Sequence, residues 1–265
     1  SVRLQVEAIK PVQTKERSVS IQTDLFDLTG RVAIITGSSK GIGRAIATAM
    51  AQHGARVVIS SRKAEVCEAV AAEINELCAE GPGEAASIPA HIGKKEELEA
   101  LVEQTRAKWG QIDIVVCNAA VNPYYGPSKD IPDSAFDKIM SSNIKSNHWL
   151  CNMVLPEMVE RNDGTIIIVS SVGGLKASTV IGAYAISKAA DLQLVRNLAA
   201  EYGPNNVRVN AIAPGWIFVE NHTRAMGDIN LEEAAHHIPV GFVGMPHDVA
   251  ELTMFLASEE ARYIN

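Results

Sequence analysis

Apolar residues fall along this chain in two alternating rhythms. Short runs occupy about 31–36, 56–60, 85–89, 112–117, 164–170 and 207–212, most of them rich in valine and isoleucine. Runs of that length and composition predict strands buried on both faces. Between them, apolar positions spaced three and four apart predict helices over about 41–53, 63–79, 95–109, 133–160, 182–202 and 247–257. The succession of strand and helix implies a parallel sheet with helices on both faces. Residues 215–240 carry few strand signals, and they are expected to form a mobile segment over a ligand with a short helix near 231–237.

The first strand runs into Thr36-Gly37-Ser38-Ser39-Lys40-Gly41-Ile42-Gly43, which opens the first helix; Gly54 ends that helix, and a second strand follows. A strand, glycine turn, helix and strand in this order form the dinucleotide-binding unit of the doubly wound Rossmann-type α/β fold. Glycines there let the backbone turn sharply and approach a pyrophosphate at the helix N-terminus. The spacing is Gly-x-x-x-Gly-x-Gly, and the bland alternative is an ordinary glycine-rich turn. In such sheets ligands bind beyond the carboxyl ends of the strands. The glycine turn, Asn118-Ala119-Ala120, Ser170-Ser171 and Pro214-Gly215 all follow strand ends.

Tyr184 and Lys188 supply the candidate chemistry, four residues apart in AYAISKAADLQLVRNLAAEYG. Four residues is about one helical turn, so both side chains leave the same face. An ammonium beside a phenol favours the phenolate and lowers its pKa, which makes the phenol an acid/base candidate near neutral pH. Such pairs also arise by chance on solvated helix faces.

Taken together, TGSSKGIG at 36–43, CNAA at 117–120, Asn143 in SSNIKS, Ser171 in VSSVGG, Tyr184 with Lys188, and Pro214-Gly215 in NAIAPGW resemble the short-chain dehydrogenase/reductase family in its single-domain form. The resemblance runs from Leu25 to the last residue. NAAVNPYYG at 118–126 and AHIGKKEE at 90–97 resemble its carbonyl-reductase branch. It implies that Tyr184 is the general acid in reduction and the base in oxidation. Ser171 would hydrogen-bond the substrate oxygen, and Lys188 would hold the nicotinamide ribose and acidify Tyr184. Asn143 would support a water linking Lys188 to solvent. Cofactor contacts are implied for Gly37, Ser39, Lys40, Gly41, Ile42, Gly43, Ser61, Arg62, His91, Ile92, Asn118, Ala119, Tyr184, Lys188, Pro214, Gly215 and the backbone near Ile217. Transfer of the pro-S hydride is implied as well. Physics agrees with these roles: hydride addition to a carbonyl builds negative charge on oxygen, and two hydroxyl donors stabilise it.

The second strand ends in Ser60-Ser61-Arg62-Lys63. Enzymes for NAD place a carboxylate there, whereas Ser61 is neutral. Arg62 and Lys40 can bracket a 2′-phosphate, so NADP(H) is expected in preference to NAD(H). The family pattern is broken at three places. His91 stands where relatives carry an aspartate toward adenine. Val219 stands where many carry a threonine toward the carboxamide, with Asn221 and Thr223 as nearby substitutes. The chain ends at ARYIN, where relatives continue into one further strand, so strand six is expected to be a sheet edge.

Composition narrows the function classes. The 265 residues suit one large domain, here 25–265, preceded by an extension at 1–24. That extension has no long apolar centre and contains Glu7, Glu16 and Asp24, so it is read as an arm on a neighbouring subunit or a disordered tail. A formal charge of −7 argues against nonspecific nucleic-acid binding, and the absence of a run of eighteen apolar residues argues against a membrane span. The cysteines at 67, 78, 117 and 151 form no close Cys-x-x-Cys pair and read as reduced residues of a cytoplasmic protein. The histidines lack zinc spacing, adjacent His236 and His237 point apart, and no metal is expected.

The leading expectation is an NADP(H)-dependent reductase of a ketone or aldehyde, reversible to alcohol oxidation. It is expected to assemble as a homodimer or homotetramer through 133–160 and 182–202. The alternatives are a catalytically quiet NADP(H)-binding sensor or assembly subunit, and the enoyl-reductase branch, which separates its tyrosine and lysine more widely. Tyr124 and Tyr125 line a substrate pocket or sit on the surface, and Trp216, Phe218, His222 and His148 are further pocket candidates.

Overall fold

A computed structural model of the chain describes residues 25–219 and 231–265. The extension at 1–24, and His222, Asn221 and Thr223 within 220–230, lie outside the described residues. Six strands form one sheet: β1 (Val32–Thr36), β2 (Arg56–Ser60), β3 (Glu84–Ser87), β4 (Ile114–Cys117), β5 (Gly164–Val169) and β6 (Val207–Ile212). All pairings are parallel, in the order β3-β2-β1-β4-β5-β6. The chain builds outward from β1 to β3, then returns to place β4 on the other side of β1. Crossovers therefore diverge between β1 and β4, which opens a crevice at their carboxyl ends.

The helices are α1 (Gly41–Gln52), α2 (Ala64–Leu77), α3 (Lys95–Trp109), α4 (Asp133–Met140), α5 (Ser146–Arg161), α6 (Gly182–Tyr202), α7 (Leu231–His236) and α8 (Pro246–Ala257). Residues along each strand alternate between two cores, as the two-residue period of a strand requires. Ala33, Ile35, Val57, Ile59, Val116 and Ile167 join α1, α2 and α8 in one core. Ile34, Val58, Val115, Ile166 and Ile168 join α3, α5 and α6 in the other. Every residue of β1, β4 and β5 is buried, which is why these segments read as unbroken apolar runs.

The expected elements are found, with two notable differences. The helix expected over 133–160 is interrupted by a π turn at Ser141–Lys145 between α4 and α5, and α5 continues through Pro156. β3 is only Glu84–Ser87, although Ile88 N–H and Ala90 N–H still donate to the Ile59 and Ser61 carbonyls at 3.1 Å, so Pro89 falls on the side of the segment facing away from β2, where no N–H is needed. β6 is terminal in the sheet; on its outer side Val209 N–H donates to Asn265 Oδ1 at 2.6 Å and Asn210 Nδ2 donates to the Ile264 carbonyl at 2.9 Å.

Ile167 lies fully buried in the central part of the sheet. Ile167→Ala is expected to cost about 2–5 kcal/mol of unfolding free energy, measured by chemical denaturation.

Candidate active site

Backbone geometry at the end of β1 makes the first wall. Gly37 has φ +68, and a Cβ there would lie 3.0 Å from Ala119 Cα. A Cβ on Gly43 would lie 2.5 Å from both Asn118 Nδ2 and the Gly37 carbonyl, so only glycine lets α1 start this close to the turn. Gly37 and Ser38 N–H groups donate to the Ser60 carbonyl at 2.9 and 3.2 Å, which ties the turn to the end of β2. Ser39 is half-buried and Lys40 is exposed as the N-cap residue. No side chain caps α1, and its first turn holds no acidic residue. Its leading N–H groups and positive dipole end are thus left for an anion.

Beside this wall, Asn118 fastens β4 to β1. Its Nδ2 donates to the carbonyls of Thr36 at 2.9 Å and Gly37 at 3.3 Å, while Asn118 N–H and Ala119 N–H both donate to Thr36 Oγ1 at 3.1 Å. At the end of β2, Ser61 is half-buried with its Oγ 3.1 Å from Cys67 Sγ, and Arg62 is exposed. Neither Arg62 nor Lys40 has an ion-pair partner among the described residues. Ala90 N–H donates to the Ser61 carbonyl at 3.1 Å, which brings His91 and Ile92 alongside. His91 Nδ1 accepts from Gly93 N–H at 3.0 Å, so its ring proton sits on Nε2 and is left to donate.

The other wall follows β5 and β6. Ser171 Oγ accepts from Gly173 N–H at 3.0 Å and caps a short turn, Val172–Gly174. That turn is pressed on α6: a Cβ on Gly174 would lie 2.6 Å from the Lys188 carbonyl carbon, and Ser170 Oγ donates to the Lys188 carbonyl at 2.8 Å. The Val172 N–H donates to the Pro214 carbonyl at 3.0 Å, so Pro214-Gly215 lies against the same turn. Ile217 bridges to Gly244. Val219 comes back to the first wall, its Cγ1 only 2.9 Å from where a Cβ on Gly41 would stand. Tyr125 and Trp216 are exposed, Phe218 is half-buried, Tyr124 donates to the Pro127 carbonyl at 3.0 Å, and His148 is exposed on α5 beside Asn152.

Tyr184 is half-buried in the first turn of α6, with the Lys188 Nζ 5.8 Å from its ring centroid. Lys188 does not bond Asn143 directly. Its Nζ donates to the Val169 carbonyl at 2.8 Å and to Asp191 Oδ2 at 2.9 Å. Asn147 Nδ2 donates to Asp191 Oδ1 at 2.9 Å and to the Asn143 carbonyl at 2.7 Å. Asn143 uses its side chain to hold Val121, accepting its N–H at 2.8 Å and donating to its carbonyl at 3.0 Å, and to bond Ser187 at 3.0 Å. Ser187 in turn donates to the Tyr184 carbonyl at 2.7 Å. One buried polar network thus links Asn143, Tyr184 and Lys188. Burial pushes the Asp191 carboxyl up, against the pull of Lys188 and Asn147. Sequence reasoning missed Asp191 and Asn147; the available signal was their helical spacing from Lys188 (three residues) and Asn143 (four residues).

A crevice at the switch point, a glycine cradle without a capping side chain, and a Tyr184/Lys188 helix facing it define a dinucleotide-dependent oxidoreductase of the α/β class. Comparison with known proteins agrees. The family profile described as Enoyl-(Acyl carrier protein) reductase matches residues 37–265. Dehydrogenase/reductase SDR family member 4 of Homo sapiens is 40% identical over 241 residues, covering 89% of this chain and 84% of that protein. The Mus musculus protein of that name is 38% identical over 245 residues, covering 90% and 84%. Among solved structures, 7α-hydroxysteroid dehydrogenase complexed with NADH and 7-oxo glycochenodeoxycholic acid is similar at TM-score 0.86 and 34% identity, covering 92% of this chain and 93% of that one. Levodione reductase is similar at TM-score 0.84 and 31% identity, covering 89% and 94%. The chain belongs to the short-chain dehydrogenase/reductase family of oxidoreductases, which bind a nicotinamide cofactor and act on small molecules.

Gly43→Ala forces a methyl group onto the Gly37 backbone carbonyl. It is expected to destabilise the fold by roughly 1–3 kcal/mol, seen as a lower thermal midpoint.

Proposed function

We propose that the protein is an NADP(H)-dependent reductase of ketones or aldehydes, reversible to alcohol oxidation, with residues 25–265 as its catalytic domain. The observation that carries this reading is the buried network that sets Tyr184 and Lys188 on α6 against the Ser171 turn, beside the glycine cradle. The turn suits a dinucleotide because Gly37 and Gly43 let the backbone pack closely on Asn118 and Ala119, and the first turn of α1 has no capping side chain and no acidic residue to compete with a pyrophosphate for its N–H groups. Gly37, Ser39, Lys40, Gly41, Ile42 and Gly43 would hold the phosphates, and His91 with Ile92 the adenine side. Asn118, Ala119, Pro214, Gly215 and the Ile217 backbone would line the nicotinamide half. Bound there, a reduced nicotinamide supplies the hydride.

The chain's own residues handle the oxygen. Ser171 Oγ and the Tyr184 phenol donate hydrogen bonds to the substrate oxygen as negative charge grows on it. Tyr184 gives up its proton to that oxygen in reduction and recovers it in oxidation. Lys188 holds the ribose and stabilises the phenolate. Asn143 fixes the Val121 segment and the Tyr184 end of α6 through Ser187. Arg62 and Lys40, both exposed and without an ion-pair partner among the described residues, support the 2′-phosphate. The three-residue interval between Tyr184 and Lys188 favours carbonyl over enoyl reduction. Phe136 and Ile186, exposed on α4 and α6, support a homodimer or homotetramer through these helices, and four buried unpaired thiols suit the cytoplasm.

A second reading, a catalytically quiet NADP(H) binder, is favoured by the capture of Lys188 by Asp191. Tyr184→Phe separates the two. It is expected to bind NADPH normally, by fluorescence titration, and to lose about 10²–10⁴-fold in turnover of a carbonyl panel. Wild-type protein that binds NADPH but turns over no member of that panel, or retained turnover in the variant, overturns the catalytic assignment. Arg62→Ala is expected to raise the Michaelis constant for NADPH roughly tenfold and to leave that for NADH within about twofold. Equal effects on both cofactors reject the phosphate role.

A further inference from the structure

Lys188 and Asp191 face each other on α6 with side chains 2% and 0% exposed. The lysine is therefore turned inward, and two of its three donors are already used on Val169 and Asp191. Resting on the proposed function above, the ammonium must turn from Asp191 toward the crevice to hold a ribose. That movement would leave a fully buried carboxylate with Asn147 as its remaining donor. A buried carboxylate without its cation takes up a proton rather than stay charged.

We propose that Asp191 is a positioning residue that holds Lys188 in a withdrawn place, and that cofactor binding exchanges the ammonium at Asp191 for a solvent proton. The step balances. Lys188 keeps its three protons and its charge as it moves. Asp191 gains one proton from water and becomes a neutral acid. The Val169 carbonyl, which accepts from the same Lys188 nitrogen that Asp191 binds, is left free to accept the new acid O–H. A proton thus fills the hydrogen-bonding place that the ammonium leaves, and no buried group is orphaned.

The groups around Asp191 allow this. On its own helix the group is Lys188. From α5 they are Asn147 and Cys151, from β4 Cys117, and from β5 the Val169 carbonyl. The Cys117 thiol is pushed well up by its hydrogen bond with Cys151, by burial and by the negative charge nearby, so it stays neutral. Asp191 itself starts high for a carboxyl because burial outweighs the help of Lys188 and Asn147. Losing Lys188 raises it further. Uptake is then largest between its paired and unpaired pKa values. Apparent cofactor affinity falls as pH rises through that window, by at most about tenfold per pH unit.

Isothermal titration calorimetry of the full chain with NADH and with NADPH, in buffers of different ionisation enthalpy, counts the protons. Repeated over a series of pH values, the titration is expected to show wild type taking up a substantial fraction of about one proton per site within that window, with either cofactor. NADH has no 2′-phosphate, so its uptake belongs to the protein. Asp191→Asn is expected to lose that uptake while still binding. Zero uptake by wild type with NADH, or equal uptake in wild type and variant, overturns the inference and leaves the proposed function standing. Failure of wild type to bind either cofactor overturns the proposed function and the inference with it. If Asp191→Asn does not fold, Asn147→Ala decides: it removes the other donor to the carboxylate, so uptake should extend to higher pH than in wild type. An unchanged window overturns the proposal.

Discussion

The parallel pairing of β1 with β4 is the constraint on which the site depends. Ile35 faces Val116 in register, so Thr36 and Cys117 end side by side, and the chain leaves them in opposite directions. Thr36 Oγ1 receives two N–H groups from the 118–119 turn, and Asn118 returns two bonds to the carbonyls of Thr36 and Gly37. A one-residue slip would flip every side chain of β4 to the wrong core and detach these bonds together. The glycine turn can be tight because the neighbouring strand end is held against it.

Everything later in the chain is added to that crevice by backbone contacts of its own. The Ser171 turn reaches Pro214 on one side and α6 on the other, where Gly174 lets the backbones meet. Val219 then returns to Gly41 and joins the last wall to the first. The contact of Val219 with Gly41 is one of shape. No hydroxyl is offered at that point.

Much of this was legible before any coordinates. β2, β6, α3 and α6 fall at the expected residues, because each is bounded by a clear change of pattern. β1, β4 and β5 were readable as unbroken apolar runs since every residue of each is buried. The π turn at Ser141–Lys145 was not. A 3.6-residue rhythm passes through one widened turn without losing its phase enough to notice, and the polar Asn143 is buried with its side chain bonded to Val121 and to Ser187 of α6. Asp191 was hidden for a related reason. Its spacing from Lys188 could be read, but a charge on a helix is ordinarily solvated, and only the fold places it at 0% exposure. The same fold turns Lys188 inward toward it.

The central claim is hydride delivery to a carbonyl carbon with the proton supplied from Tyr184. The most direct measurement follows the hydride itself. NADPH deuterated at the pro-S position of the nicotinamide is incubated with the protein and a panel of ketones and aldehydes, and the alcohols are analysed by mass spectrometry. Deuterium on the carbinol carbon is the expected result. Alcohol formed without the label, with deuterium retained on the oxidised nicotinamide, contradicts the account.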